Sequence, residues 1–118
     1  MLAACGPSVH LTIAEAEKPT FTLTSHDSPA CPRTLAVYRV SGGQLAWRIG
    51  QRDPRACPTR ITYGALPPGY RELAPARPLI ADARYRVAVT GPGFNEQAVF
   101  TASAIRPPSA APAGPRSR

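Results

Sequence analysis

The chain has 118 residues, of which 15 are proline and 9 glycine, so about a fifth of its positions interrupt regular structure and a mainly helical protein is excluded. Its 14 basic residues against 7 acidic ones give a formal net charge of +7, and Lys18 is the only lysine among them. With 43% hydrophobic and 18% charged residues it is too apolar for a wholly disordered polymer, and no apolar run is long enough to cross a membrane as a helix.

The first residues read Met1-Leu2-Ala3-Ala4-Cys5-Gly6. Small residues ahead of a cysteine suit a peptidase whose narrow site admits an extended backbone, and the Cys5 thiol is a nucleophile able to take a diacylglyceryl group. Leu2-Ala3-Ala4-Cys5 resembles the lipobox of bacterial lipoproteins, which implies lipid on Cys5. The charged and apolar segments that precede such a site are missing ahead of Leu2, so the reading requires them upstream of Met1. The competing reading is an ordinary thiol. Residues 1–8 are taken as lipobox remnant and linker.

From Val9 the pattern is one of short alternating runs divided by turn residues. Leu11 and Ile13 alternate with Thr12 and Ala14, and Phe21 and Leu23 with Thr20, Thr22 and Thr24, giving two strands around a Glu15–Pro19 turn. Leu35, Val37 and Arg39 share one face of a third strand that Ala36, Tyr38 and Val40 mark as covered on both sides. Gly42-Gly43 predicts a hairpin turn into Leu45, Trp47 and Ile49, whose neighbours Ala46, Arg48 and Gly50 are expected to face outward. Ile61 and Tyr63 follow the Asp53-Pro54 turn, and Tyr70 and Leu79 are expected to plug one end of the core. Tyr85, Val87 and Val89 form the clearest strand, answered across Gly91-Pro92-Gly93 by Ala98, Phe100 and Ala102.

About seven strands with turns roughly every ten residues predict an all-β fold, an immunoglobulin-like antiparallel β-sandwich over residues 9–105, with a small β-barrel as the alternative. Residues 106–118, Arg106-Pro107-Pro108 onward, hold no large apolar side chain and are expected to be a disordered Pro/Ala/Arg tail.

Cys31 and Cys57 are each followed by proline, Pro32 and Pro58, which biases both toward extended backbone and suggests a disulfide pair. Reduced buried thiols are the alternative. A third cysteine would leave an exported protein with an odd thiol, and lipid on Cys5 removes the mismatch. No C-x-x-C or H-x-x-x-H spacing joins these cysteines with His10 or His26, so no metal or cofactor site is expected, and His10 is read as a surface strand residue.

Ser25-His26-Asp27-Ser28 has the residue types of a hydrolase triad, but neighbours on one extended segment cannot converge into the relay, and no G-x-S-x-G turn exposes a nucleophile. No catalytic residue is therefore assigned. Asp53 and Asp82 sit in turn contexts, where carboxylates satisfy backbone amides.

Arg48, Arg60, Arg84 and Arg86 fall opposite the apolar phase of their strands, and with Arg52 and Arg55 they form a candidate anion-binding surface. The plain alternative is a set of solvated outward residues chosen by base composition. Trp47, Tyr63 and Tyr85 follow the core phase, which disfavours a nucleic-acid stacking platform.

The stretch from Trp47 to Phe100, with Ile61-Thr62-Tyr63-Gly64, Pro67-Pro68-Gly69-Tyr70, Pro78-Leu79 and Tyr85-Arg86-Val87, resembles small lipoproteins of Gram-negative bacteria. The resemblance implies export, lipid on Cys5 and a β-rich periplasmic domain, and Gly6 after the cysteine implies the periplasmic face of the outer membrane. Without it, an inner-membrane or cytoplasmic address remains. The expected function is a lipid-anchored, non-catalytic binding or structural module whose partners are the membrane and an acidic protein or anionic lipid head groups. A soluble basic protein that binds nucleic acid or another polyanion is the second reading, and a small hydrolase the third.

Overall fold

The computed structural model describes residues 9–26 and 29–103. These segments form eight strands, most of them drawn out by alternation of apolar and polar residues: β1 (Val9–Ala14), β2 (Thr20–Ser25), β3 (Thr34–Arg39), β4 (Leu45–Gln51), β5 (Arg60–Thr62), β6 (Tyr70–Ala74), β7 (Arg84–Gly91) and β8 (Phe94–Thr101). All pairings are antiparallel, in a three-stranded sheet ordered β1-β2-β5 and a five-stranded sheet ordered β6-β4-β3-β7-β8. The sheets face each other as a β-sandwich and do not close into a barrel. The order places β2 between β1 and β5, and β3 between β4 and β7, neighbours that an immunoglobulin-like sandwich also has. Here, however, the sheets hold three and five strands, with β6 at the edge of the larger. At β6 the sequence predicts only a corner and a plug.

Each sheet buries one face. Phe21 and Leu23 from one sheet meet Leu35, Val37, Trp47, Ile49, Val87 and Val89 from the other, and Trp47, Val37, Ile49 and Val87 have no exposed surface. Phe21 packs on Phe100 at a ring separation of 5.7 Å, and Trp47 meets Tyr63 edge-on at 5.3 Å, so aromatic pairs join the two layers. The Tyr85 hydroxyl accepts the Ile80 N–H at 2.9 Å, fixing the approach to β7 as the tyrosine corner does in sandwiches of this class.

Two irregularities change what β4 buries. Val37 pairs with Trp47 and Tyr38 with Leu45, so Ala46 is a bulge residue and turns into the core instead of outward. Between β4 and β6 the register steps from Arg48–Ala74 to Ile49–Glu72, passing over Leu73. The Leu73 side chain then lies on Gly50, its Cδ1 3.0 Å from where a Cβ would stand, which buries a position expected to be exposed.

Cys31 and Cys57 form a disulfide. It ties the β2–β3 connection to the β4–β5 connection, the two passages between sheets at one end of the sandwich. At the same end Gly69, with φ of +85°, offers its carbonyl to the N–H groups of Arg52 and Asp53 at 2.7 and 3.0 Å. Asp53 in turn accepts the Arg55 N–H at 3.0 Å, the turn role expected of it, and Asp82 occupies the left-handed region with φ of +69°.

Candidate anion-binding face

Cross-strand partners share a face of a sheet, so the register shows where each arginine points. Arg48 on β4 pairs with Ala36 on β3, Ala36 with Ala88 on β7, and Ala88 with Gln97 on β8. One row along, Tyr38 pairs with Arg86, and Arg86 with Val99. Arg84 pairs with Thr101 and Arg71 with Gly50. All these positions are on the phase opposite Leu35, Val37, Trp47, Ile49, Val87 and Val89, so Arg48, Arg71, Arg84 and Arg86 occupy one outer face.

All four are exposed. The outward strand positions between them hold threonine, alanine, glycine, asparagine, glutamine, Tyr38, Leu45, Leu73 and Val99, and no carboxylate. Glu72 and Glu96 lie on the inward phase, paired in register with Ile49 and Val89, and Glu72 is held by the Trp47 indole. The outward positions therefore carry four positive charges and no acid, the nearest strand carboxylate being Glu72 at the sheet edge, engaged by Trp47. Leu73 and Val99 stand 49% and 42% exposed among the arginines, while Ala36, between Arg48 and Ala88, is buried although it faces outward.

The six arginines selected from the sequence are not one surface. Arg48, Arg84 and Arg86 share the five-stranded face. Arg60 sits on β5 in the other sheet, paired with Thr22. Arg52 and Arg55 lie in the β4–β5 connection at the disulfide end, and Arg55 is 3.5 Å from the Asp53 carboxylate in a well-exposed pair. Arg71, which the sequence reading omitted, belongs to the face because β6 extends the sheet. No apolar alternation signals it: Tyr70-Arg71-Glu72-Leu73 has only Tyr70 buried, so the strand follows from pairing with β4. Arg39 is on the inward phase of β3, and its Nε is buried with no hydrogen-bond partner among the described residues.

The opposite outer face differs in kind. His10, Thr12, Ala14, Thr20, Thr22, Thr24 and Thr62 surround Arg60, so that surface is largely neutral hydroxyl.

A cleft of about 540 Å³ opens at the end of the sandwich away from the disulfide, lined in part by Glu17, Lys18, Tyr63, Arg77, Leu79 and Ser103. On its wall the Tyr63 hydroxyl donates to the Arg77 carbonyl at 2.6 Å, with the Ala46 carbonyl 3.1 Å away. Burial pushes its pKa up to about 12, so it stays protonated at neutral pH.

His10 and His26 are exposed, and no group of three His, Cys, Asp or Glu among the described residues is placed to hold a metal. Cys5, Asp27, Ser28 and the segment 106–118 lie outside the described residues. No helix among the described residues is long and apolar enough to cross a membrane. Comparison with protein-family models, with characterised proteins and with solved structures gave no match for this chain.

Proposed function

We propose that this chain is an exported binding module, held at a membrane by lipid on Cys5, that docks an anionic partner on the outer face of its five-stranded sheet. The observation that carries the reading is the set Arg48, Arg71, Arg84 and Arg86 on a face whose other strand positions hold no carboxylate. Clustered guanidinium groups raise the local concentration of anions and bind carboxylate or phosphate through paired N–H donors. The module works by holding a partner, not by chemistry.

Two further features support export. Disulfides persist in oxidising compartments, and Cys31–Cys57 uses two of the three cysteines, leaving Cys5 for lipid. The lipobox-like Leu2-Ala3-Ala4-Cys5 and the following Gly6 favour the periplasmic face of the outer membrane. Expression with the native upstream sequence in a Gram-negative host fed an alkynyl fatty acid tests the anchor. Label is expected on the wild type and not on Cys5→Ser, and an unlabelled wild type rules the anchor out.

Heparin retention tests the face. It is expected to fall with added salt and to be lost in Arg48→Glu/Arg86→Glu, and retention unchanged by that pair would show that the anions bind elsewhere. Nucleic acid is the weaker reading, because Trp47, Tyr63 and Tyr85 are 0%, 5% and 3% exposed and cannot stack on bases.

A further inference from the structure

We infer that the anionic partner is the surface of a phospholipid bilayer, against which the five-stranded sheet lies on its arginine face. This rests on the reading above that the face takes anions, and it adds what kind of anion and in what orientation.

The charge alone does not select a membrane; the residues between the charges do. Leu73 is exposed beside Gly50, one position from the Arg48–Ala74 pair, and Val99 is exposed as the direct register partner of Arg86. Tyr38 lies half-buried on the other side of Arg86. Aliphatic side chains do nothing for a phosphodiester chain in water, whereas a bilayer surface presents anionic head groups with apolar chains just beneath. Arginine stems lie along apolar surface while their guanidinium groups stay at phosphate level, so Arg-Val and Arg-Leu neighbours fit one interface.

The two outer faces make the orientation specific. Four arginines with Leu73 and Val99 occupy one, and the other is a threonine surface around Arg60. A membrane attracting each arginine separately would thus turn one face of the sandwich toward itself. Arg71 lies near the disulfide end and Arg84 at the start of β7 near the other, so the contact runs the length of the sheet.

The test uses the full chain as Cys5→Ser, so that no acyl chain contributes, in flotation with phosphatidylglycerol-containing or pure phosphatidylcholine vesicles. Binding to the former only is expected. Arg48→Gln/Arg86→Gln should weaken it about thirty-fold, and Leu73→Gln/Val99→Thr should weaken it roughly tenfold while leaving heparin retention unchanged. Buried Trp47 fluorescence confirms that each variant is folded. Equal loss from Arg52→Gln/Arg55→Gln would put the contact at the disulfide end, and unaltered vesicle binding of the Leu73/Val99 pair would remove the apolar component; either overturns the proposal. Heparin retention without vesicle binding overturns the membrane and leaves the anion-binding face standing. Absence of both takes down that face as well.

Discussion

The indole N–H of Trp47 donates to the Glu72 carboxylate, 2.9 Å from Nε1 to Oε2. Trp47 has no exposed surface, so this bond gives a buried donor its partner, while Glu72 itself sits exposed at the sheet edge. The bond joins the last strand added to the sheet, β6, to the centre of the core. Glu72→Leu leaves the indole donor unsatisfied and should cost about 1–3 kcal/mol, whereas Glu72→Gln keeps an acceptor and should cost less than about 1 kcal/mol. Urea midpoints at unchanged m-value measure both. Equal losses in the two variants would mean that β6 is held by backbone pairing alone.

The relation between these two residues also shows where the sequence was readable and where it was not. Strands with strict alternation, such as Tyr85-Val87-Val89 and Phe21-Leu23, identify themselves because one face must be buried. The two cysteines could be paired because each precedes a proline and the number of thiols needed explaining. β6 was missed because only Tyr70 of its five residues is buried, so its strand state comes from pairing with β4 and not from a hydrophobic pattern. The same omission hid Arg71. Ala46 was placed outward because alternation cannot register a bulge: one inserted residue reverses the facing of a side chain, and the insertion is set by the neighbouring strand. Gly50 does face outward, but the bulge at Leu73 covers it, which depends on β6. The division of the arginines between two sheets likewise depends on which strand neighbours which, and no local pattern encodes that.

Removal of the disulfide should be costly because it closes a long loop. For a sequence separation of 26 residues, the lost constraint on the unfolded chain is about 3.5 kcal/mol. A large fraction of the stability of a small domain is therefore at stake. Cys31→Ala/Cys57→Ala should lower the urea midpoint accordingly, and wild-type protein under reducing conditions should match it. A reduced wild type as stable as the oxidised one would show that packing alone holds the two crossovers.

Gly91 and Gly93 make a paired test of two different glycine requirements at the β7–β8 turn. A Cβ on Gly91 would stand 2.5 Å from the Cys31 carbonyl oxygen and closer still to the Phe94 ring, and the carbonyl belongs to the segment that the disulfide fixes. Gly93 has φ of +79° and nothing within 4 Å, so alanine there meets only the intrinsic cost of the left-handed region, about 1 kcal/mol. Gly91→Ala should cost at least about twice that, because backbone must move. Thermal unfolding of the two variants side by side decides it, and a smaller loss at Gly91 would mean that the Cys31 segment yields easily.

Alkaline unfolding should report the two buried tyrosines. Burial pushes Tyr63 and Tyr70 each from 10.0 up to about 12, and their hydroxyls donate to the carbonyls of Arg77 and Pro32 respectively. In both cases the neutral phenol is the form favoured by the fold. The unfolded chain releases these protons near pH 10 while the folded chain retains them to about pH 12. The stabilisation is thus complete below pH 10 and lost as pH rises toward 12, with a slope of up to about 2.7 kcal/mol per pH unit when both contribute. Tyr63→Phe loses a hydrogen bond and should be less stable than wild type at neutral pH, by about 1 kcal/mol. Its stability should then fall less steeply above pH 10, so that its deficit closes and reverses before pH 12 as the wild type loses what phenylalanine never had. Tyr70→Phe should behave in the same way, and the double variant should have little tyrosine-linked slope left. Parallel stability curves for wild type and the double variant between pH 10 and 12 would mean that other groups govern alkaline unfolding.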